Sequence, residues 1–247
     1  ILLTTPESLM LMLSYVDAKN MFKHLRSVII DEVHNLAPNK RGDFTTLALA
    51  RLQSIQPDFI RFGLSATVAE PALLANWLGV SGEPAQVHLC PNVTKPQVQL
   101  LPTKAHIPFG GHMATYAIDD IYTQIVNAQT ALVFVNTRAQ AELIFQGLWE
   151  VNDQSLPIAL YHGALSKEQR HKTENMMAKG LLRAIVTTSA LELGIDWGDV
   201  ELVIQVGAPK GVSRLLQRIG RSNHTLDTPS KALLVPGNRF EALESLS

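Results

Sequence analysis

The sequence predicts an α/β fold of two lobes with parallel sheets, the first lobe lacking its N-terminal part. In the second half, short apolar runs alternate with segments of helical period, which is typical of βαβ units. Five prolines lie between Pro84 and Pro108, where helical period is lost, so we expect a linker near residues 91–96. Residues 1–5 are predicted to form a strand, so the chain starts inside a predicted element. We therefore place the lobes at 1–92 and 93–247 and expect the chain to begin within a domain.

Composition is that of an ordinary globular protein. Of the 247 residues 46% are hydrophobic, yet no apolar run is long enough to span a bilayer, and no secretory signal opens the chain. We therefore expect a cytoplasmic protein without a membrane partner. The single cysteine, Cys90, excludes an intrachain disulfide and a cysteine metal site. The net charge of −1 does not by itself indicate nucleic-acid binding. It does not exclude such binding either, because backbone N–H groups and helix N-termini can hold phosphates without bulk positive charge.

The first lobe is expected to alternate strands and helices. After strand 1–5, Thr5 suits an N-cap and Pro6 the first turn of a helix. A later helix is predicted to bury one face, formed by Phe44, Leu47, Ala48 and Leu52. The other elements predicted in this lobe are a strand around 27–30, a turn at 40–42, the later helix itself over 43–54, a strand over 59–64 and a helix over 71–78.

The second lobe shows the clearest alternation. Its predicted helices are 113–127, 138–150, 166–179 and 211–220, with a final helix near the C-terminus. Its predicted strands are 131–136, 157–162, 182–188, 200–206 and 231–236.

The stretch 27–34 is the centre of the chemical prediction. An apolar, β-branched run there ends in two carboxylates, Asp31 and Glu32. Such a run predicts a strand buried on both faces, and open α/β sheets bind ligands at the C-terminal ends of their strands. Because adjacent side chains diverge, one carboxylate can hold hydrated Mg²⁺ while the other orients a water for attack on a phosphate. The alternative is a strand followed by an acidic turn.

Polar clusters follow apolar runs in both lobes. Each one alone is compatible with a helix N-cap, but together they favour a long ligand, such as a nucleic-acid strand, across the strand ends. The clusters are Thr5, Asp31–Glu32, Ser65–Thr67, Asn136–Arg138, His162–Gly163, Thr187–Ser189 and Gly194–Asp196.

Three arginines, Arg214, Arg218 and Arg221, follow one another at the spacing i, i+4, i+7, which predicts one helical face. Such a face is either a solvated basic surface or a source of an arginine that stabilises charge on a polyphosphate.

These motifs, in this order, resemble the superfamily 2 DExH-box helicases. Several flanking stretches resemble more narrowly the large helicase-related (Lhr) family, including its ligase-associated branch. The motifs are Thr5–Ser8, Asp31–His34, Ser65–Thr67, Leu132–Arg138, Tyr161–Gly163, Ser189–Asp196 and Gln217–Arg221, and the flanks are Lys40–Gly42, Trp197–Asp199 and Ser213–His224.

The resemblance implies two RecA-like lobes and a role for each matching residue. Asp31 would hold Mg²⁺ through water, Glu32 would be the base, and Arg221 would be the arginine finger. Residues implied to bind ATP or couple its site to the nucleic acid are His34, Ser65, Thr67, Gly194, Asp196, Gln217 and Arg218. Residues implied to line the nucleic-acid strand are Thr5, Lys40, Arg41, Asn136, Thr137, His162, Gly163, Thr187 and Thr188.

The chain departs from the family pattern in two respects. The wider superfamily often has a second arginine at the position of His224, whereas the Lhr family resembles this chain in having histidine there. Asn223 replaces a residue that is usually small. More importantly, no G-x-x-x-x-G-K-[ST] phosphate-binding loop is present. We therefore expect this chain by itself to hydrolyse little ATP.

The function implied is that of an ATP-dependent DNA helicase or translocase core that uses ATP and Mg²⁺ and moves along single-stranded DNA. DNA repair, with a ligase or nuclease as partner, is the expected context. The alternatives are an RNA helicase, a nucleic-acid-stimulated ATPase that remodels protein complexes, and a non-catalytic clamp that binds nucleic acid or a partner. The residues alone leave the choice between DNA and RNA open.

Overall fold

A computed structural model of the chain describes residues 1–65, 68, 70–89, 95–191, 200–209, 211–222 and 229–245. The chain divides into two compact units, residues 1–90 and 91–247. Within the described residues, no helix has the length and apolar character needed to cross a membrane.

The first unit is a small α/β layer. Its described helices are α1 (Pro6–Leu13), α2 (Ala18–Phe22), α3 (Val33–Leu36), α4 (Lys40–Ile55) and α5 (Pro71–Leu78), and its strands are β1 (Ser27–Ile30) and β2 (Ile60–Gly63). The two strands pair in parallel, with Ser27 opposite Ile60. Helices α1 and α4 bury Leu9, Leu49 and Leu52 in one hydrophobic cluster.

Helix α1 begins as the sequence predicts. Thr5 is its N-cap, with an extended backbone and a side-chain oxygen that accepts the Ser8 N–H at 3.2 Å, and Pro6 is the first helical residue. Pro6 is favourable there because the first N–H groups of a helix have no intrahelical partner.

Two predictions for the first unit are wrong. Residues 1–5 form no strand, and Ile1 and Leu3 are exposed, because a strand needs a neighbour for its hydrogen bonds and the described sheet pairs only β1 with β2. Residues 40–42, predicted to be a turn, are the first turn of α4. The Asn39 side-chain oxygen accepts the N–H groups of Arg41 and Gly42 at 2.8 and 3.3 Å, so the helix begins there.

The burial pattern also differs from the prediction. Strand β1 is not buried on both faces, since Ile30 is 7% exposed but Ile29 is 64% exposed. The hydrophobic cluster packs against one face of this two-stranded sheet. In α4, Phe44 and Leu47 are exposed, and the buried stripe is instead Thr45, Ala48, Leu49 and Leu52, of which the three apolar residues belong to the hydrophobic cluster that includes α1 and β1 residues.

The second unit confirms the predicted alternation. Its described helices are α6 (Ile118–Asn127), α7 (Arg138–Glu150), α8 (Lys167–Ala178), α9 (Val212–Ile219) and α10 (Arg239–Glu244). Its strands are β3 (Gln97–Leu100), β4 (Ala131–Phe134), β5 (Ile158–Tyr161), β6 (Ala184–Thr187), β7 (Leu202–Val206) and β8 (Lys231–Val235). Helix α6 starts later than predicted, after a short 3₁₀ segment at Thr115–Ala117.

The six described strands form one parallel sheet in the order β3-β8-β7-β4-β6-β5. Successive residues of the central strands enter different cores: Leu132 and Ile185 pack into one cluster, and Val133 and Val186 into the other. This sheet is therefore buried on both faces, which explains the continuous apolar runs of its strands. All six strands end at the same edge, where the predicted polar residues follow.

Candidate functional site

The two carboxylates directly after β1 occupy a strained turn. Glu32 has φ 51° and ψ 41°, a left-handed conformation that non-glycine residues adopt at a cost of about 1 kcal/mol or more. The Val33 N–H donates to the Leu64 carbonyl and the Leu64 N–H to the Ile30 carbonyl, each at 2.9 Å, which ties this turn to β2. The Asp31 side chain accepts the Glu32 N–H at 2.9 Å. The two carboxylates therefore have different partners: Asp31 accepts a backbone N–H, and Glu32 lies beside His34.

Glu32 is the first member of a side-chain relay. Its Oε2 lies 3.3 Å from His34 Nε2, and His34 Nδ1 lies 3.0 Å from Ser65 Oγ. Because a carboxylate only accepts, a hydrogen bond between His34 and Glu32 requires a proton on His34 Nε2. With the His34 side chain only 6% exposed, the relay is held in place from the end of β1 to the end of β2.

The predicted nucleic-acid residues of the first unit lie at the N-termini of two packed helices. Thr5 caps α1, while Lys40 and Arg41 begin α4. Arg41 forms a bidentate ion pair with Glu7 in the first turn of α1, with Nε to Oε1 at 2.7 Å and Nη2 to Oε2 at 3.1 Å. The structure therefore brings Thr5 and Arg41 together through Glu7.

The ion pair changes the titration of Glu7. The hydrogen bonds from the Arg41 guanidinium lower the pKa of the Glu7 carboxyl from 4.5 to about 2, and Glu7 in turn raises the pKa of Arg41. Glu7 is therefore ionised throughout the physiological pH range.

In the second unit, Asn136 and Thr137 follow β4. The Asn136 Nδ2 donates to the Ala208 carbonyl at 2.7 Å, and its backbone N–H donates to Gln140 Oε1 at 3.0 Å. Gly207 has φ +80°, and a Cβ there would lie 2.9 Å from Asn136 Nδ2, so a glycine is needed for this contact. Thr137 is exposed and caps α7 by accepting the Gln140 N–H at 3.1 Å.

His162 and Gly163 follow β5. His162 is 4% exposed, and among the described residues its ring nitrogens make no hydrogen bond, although Nε2 lies 3.5 Å from Glu142 Oε1. Glu142 lies on α7, and its Oε1 is 3.7 Å from Arg138 Nε. These contacts bring His162 to the N-terminal part of the helix that Thr137 caps.

Thr187 is the last residue of β6, and Thr188 directly follows it. Thr187 is fully buried, and its Oγ1 donates to the Thr188 carbonyl at 3.1 Å, while Thr188 is half-buried. The side chain of Thr187 therefore points into the protein, and Thr188 is the more accessible of the two.

The arginines around α9 differ in burial, although Arg214 and Arg218 stand four residues apart on the helix, as the predicted shared face requires. Arg218 is 2% exposed, lies over the Phe134 ring with its guanidinium carbon 5.1 Å from the centroid, and donates to the buried Gln205. Arg214 and Arg221 are half-buried, and Arg221 lies just beyond the last helical residue. Arg218 points inward because the apolar side of the helix carries it onto β7 and β4.

Arg221 has a feature suited to an anionic ligand. Its Nε is buried and has no hydrogen-bond partner within the described part of the chain. Its neighbour Gln217, in the last part of α9, is half-buried. Thr67, which the resemblance assigns to coupling, and Gly194 and Asp196, which it assigns to the ATP site, lie outside the described residues.

Several supporting residues were not predicted from the sequence. Glu7 holds Arg41, Gln205 holds Arg218, and Gln140 holds Asn136 while its Nε2 also donates to the His112 carbonyl at 2.8 Å. The signal for Gln205 is present in the sequence, since it is the one polar residue in the apolar strand 202–206. No comparable signal identifies Glu7, because its partner is 34 residues away.

The residues after β1 fit a hydrated magnesium ion. Asp31 is exposed, and carboxylate oxygen is the ligand type that Mg²⁺ prefers. No group of three or more potential metal ligands occurs among the described residues. Mg²⁺ is usually bound by one or two carboxylates together with water and substrate phosphates.

Comparisons with known protein families match both units. The DEAD/DEAH box helicase family matches residues 1–74, and the helicase conserved C-terminal domain family matches residues 116–224. The ATP-dependent helicase Lhr-Core of Methanothermobacter thermautotrophicus is 37% identical over 254 residues, which cover 99% of this chain and 29% of that protein. The chain thus spans under a third of the length of this relative.

Solved structures agree with the sequence relatives. The Mycobacterium smegmatis helicase Lhr, solved with ssDNA and AMP-PNP, is 38% identical, with a TM-score of 0.79 over 96% of this chain and 32% of that one. The helicase MrfA, solved with DNA and AMPPNP, is 20% identical, with a TM-score of 0.70 over 94% of this chain and 34% of that one. The second likeness concerns the fold alone, and the two together confirm the predicted RecA-like α/β class.

Proposed function

Because this chain belongs to the Lhr family of superfamily 2 helicases, we propose that it is part of the core of an ATP-dependent DNA helicase or translocase. In this proposal residues 1–92 belong to the first RecA-like domain and residues 93–247 form the second. The full protein would couple ATP hydrolysis to movement along single-stranded DNA.

The relay from Glu32 through His34 to Ser65 is the observation that carries this proposal. Glu32 would position the attacking water, and the relay connects its carboxylate to the end of β2. A change at the carboxylate on hydrolysis is thereby passed to a second strand end. The exposed carboxylate of Asp31 would hold Mg²⁺, which supplies charge neutralisation at the phosphates when bound.

The second set of roles concerns Arg221. Its buried Nε, which has no hydrogen-bond partner among the described residues, supports contact with an anion, and an arginine at a phosphoryl group stabilises the charge of the transition state. Arg218 would act differently, as a positioning residue that anchors α9 through Gln205. Gln217, Gly194 and Asp196 complete the proposed nucleotide set, with Thr67 assigned to coupling.

The nucleic acid would be held without reading its sequence. Contacts to phosphate and sugar carry no base information, which suits a protein that moves along a strand. The residues proposed for these contacts are Thr5, Lys40, Arg41, Asn136, Thr137, His162, Gly163, Thr187 and Thr188. DNA is the proposed substrate because the Lhr relative was solved with ssDNA. We further propose a role in DNA repair with a ligase or nuclease partner, in the cytoplasm.

ATP turnover in a longer version of the protein tests the proposal. The version should extend upstream to include a phosphate-binding loop, and turnover is measured with and without single-stranded DNA or RNA. We expect stimulation by DNA and a loss of about 10²–10⁴-fold in Glu32→Gln, since positioned acid–base groups contribute that much. The 247-residue chain alone is expected to turn over little ATP.

A matched control comes from another exposed carboxylate of the first unit. Asp17→Asn removes an exposed carboxylate from the first unit at the N-cap of α2, outside the proposed sites, and is expected to leave turnover unchanged. A folded, extended protein that does not hydrolyse ATP would contradict the motor proposal and favour a non-catalytic clamp. Stimulation by RNA and not by DNA would replace the proposed substrate. Turnover without strand displacement would indicate a remodelling ATPase.

A further inference from the structure

The Arg41–Glu7 pair has a geometry that the proposed nucleic-acid contact does not by itself explain. Glu7 approaches the guanidinium from the side, engaging Nε and Nη2 at 2.7 and 3.1 Å. A guanidinium carries five N–H groups in a fixed planar fork. The pair therefore uses one edge of the fork and leaves the Nη1 group and the second hydrogen of Nη2 for another acceptor.

The backbone around the pair is held in place on both sides. Thr5 caps α1 two residues before Glu7, and Asn39 caps α4 two residues before Arg41. A Cβ at Gly42 would lie 2.5 Å from the Leu36 carbonyl oxygen, so α4 is packed closely against the preceding turn. The two side chains are themselves more than half exposed, so the pair is accessible to a large ligand.

We propose that Glu7 is a positioning residue, which holds the Arg41 guanidinium so that its unengaged edge contacts a phosphate of single-stranded nucleic acid. Glu7 removes much of the freedom of a long exposed side chain before the ligand arrives, so less is lost on binding. The inference rests on the proposed function, in which Arg41 contacts the strand. The low pKa of Glu7, about 2, keeps the pair ionised at working pH.

The proposal can be tested by whether Glu7→Gln weakens or strengthens nucleic-acid binding. Glu7→Gln removes a negative charge beside a polyanion, so electrostatics alone would strengthen nucleic-acid binding. Positioning requires the opposite result, because glutamine offers one acceptor oxygen and cannot form the bidentate fork. We expect binding of fluorescein-labelled oligothymidine to the full-length protein to weaken by about three- to tenfold, measured by fluorescence anisotropy.

Asp43 provides the matched control. It is an exposed carboxylate in the first turn of α4, two residues from Arg41. Asp43→Asn removes the same charge without altering the Arg41–Glu7 ion pair. The Asp43→Asn variant is expected to bind the oligothymidine as tightly as the parent protein or more tightly. Thermal unfolding of both variants is expected to match the parent, because exposed ion pairs contribute little to stability.

A double-mutant cycle separates this inference from the proposed function. We expect Arg41→Lys to weaken binding by about tenfold, and Glu7→Gln to cause no further loss once Arg41 is lysine. If Arg41→Lys weakens binding while Glu7→Gln leaves it unchanged or tighter, the positioning role is wrong and the Arg41 contact stands. If neither Arg41→Lys nor Arg41→Ala changes affinity or its salt dependence, both the contact and the inference are overturned.

Discussion

The candidate residues of the two units are held in place by different kinds of contact. In the first unit, a two-stranded sheet leaves Ile29 64% exposed, and the candidate residues are held by local caps, one ion pair and the Glu32–His34–Ser65 relay. In the second unit, a six-stranded sheet is buried on both faces. There Arg218 and Thr187 are themselves part of the buried interior.

This difference affects how substitutions should be interpreted. In the first unit, polar residues such as Arg41 lie on the surface, so their replacement should change binding more than stability. In the second unit, Arg218 supports the fold and lies beside the proposed nucleotide residues, so its replacement affects both. A loss of activity is therefore informative in the second unit only when stability is measured as well.

The largest expected effect contrasts two strand isoleucines. Ile185 in β6 is fully buried, so Ile185→Ala should lower the free energy of unfolding of the second unit by about 3–4 kcal/mol through lost burial and a cavity. Ile29→Ala in β1 should cost the first unit less than about 1 kcal/mol. Native-state hydrogen exchange on the 247-residue chain reports each unit separately. Equal losses of unfolding free energy in the two variants would show that the exposed face of β1 is covered in solution.

A somewhat smaller effect is expected for Arg218→Ala. The substitution removes the contact with the Phe134 ring and leaves the Gln205 side-chain oxygen without its donor, for a loss of about 3 kcal/mol. Lys172→Ala on the exposed surface of α8 is the control and should change stability by less than about 0.5 kcal/mol. Urea unfolding gives both values. Unchanged stability, together with lost ATP turnover in the longer version of the protein, would assign Arg218 to the nucleotide site instead.

The smallest effect concerns the pH dependence of the first unit. The pKa of Glu7 is lowered in the folded chain, so its ion pair contributes above the ordinary value of 4.5 and is lost as the pH falls through about 2. NMR titration of the Glu7 carboxyl carbon should therefore give a midpoint near pH 2, which moves toward 4.5 in Arg41→Met. A midpoint near 4.5 in the parent protein would mean that the pair does not persist in solution.

Local signals in the sequence were sufficient for much of the fold. The strand–helix alternation predicted the parallel sheet of the second unit, including α7 over 138–150, and N-cap preference predicted the start of α1 at Thr5. These predictions succeed because periodicity and capping depend on residues within a few positions of one another. The acidic pair at the end of β1 was recognisable for the same reason.

Other properties were decided only by tertiary structure. Strand 1–5 was predicted from apolar residues, but a strand needs a paired neighbour and none of the described strands supplies it. The inward orientation of the Arg218 guanidinium depends on Gln205 and Phe134. The orientation of the Arg41 guanidinium depends on Glu7, which is 34 residues away in the sequence. The sequence by itself determined most of the elements and the residue types that end them, as in the second unit. Which side chains meet depends on how distant elements pack, and short-range patterns carry no record of that packing.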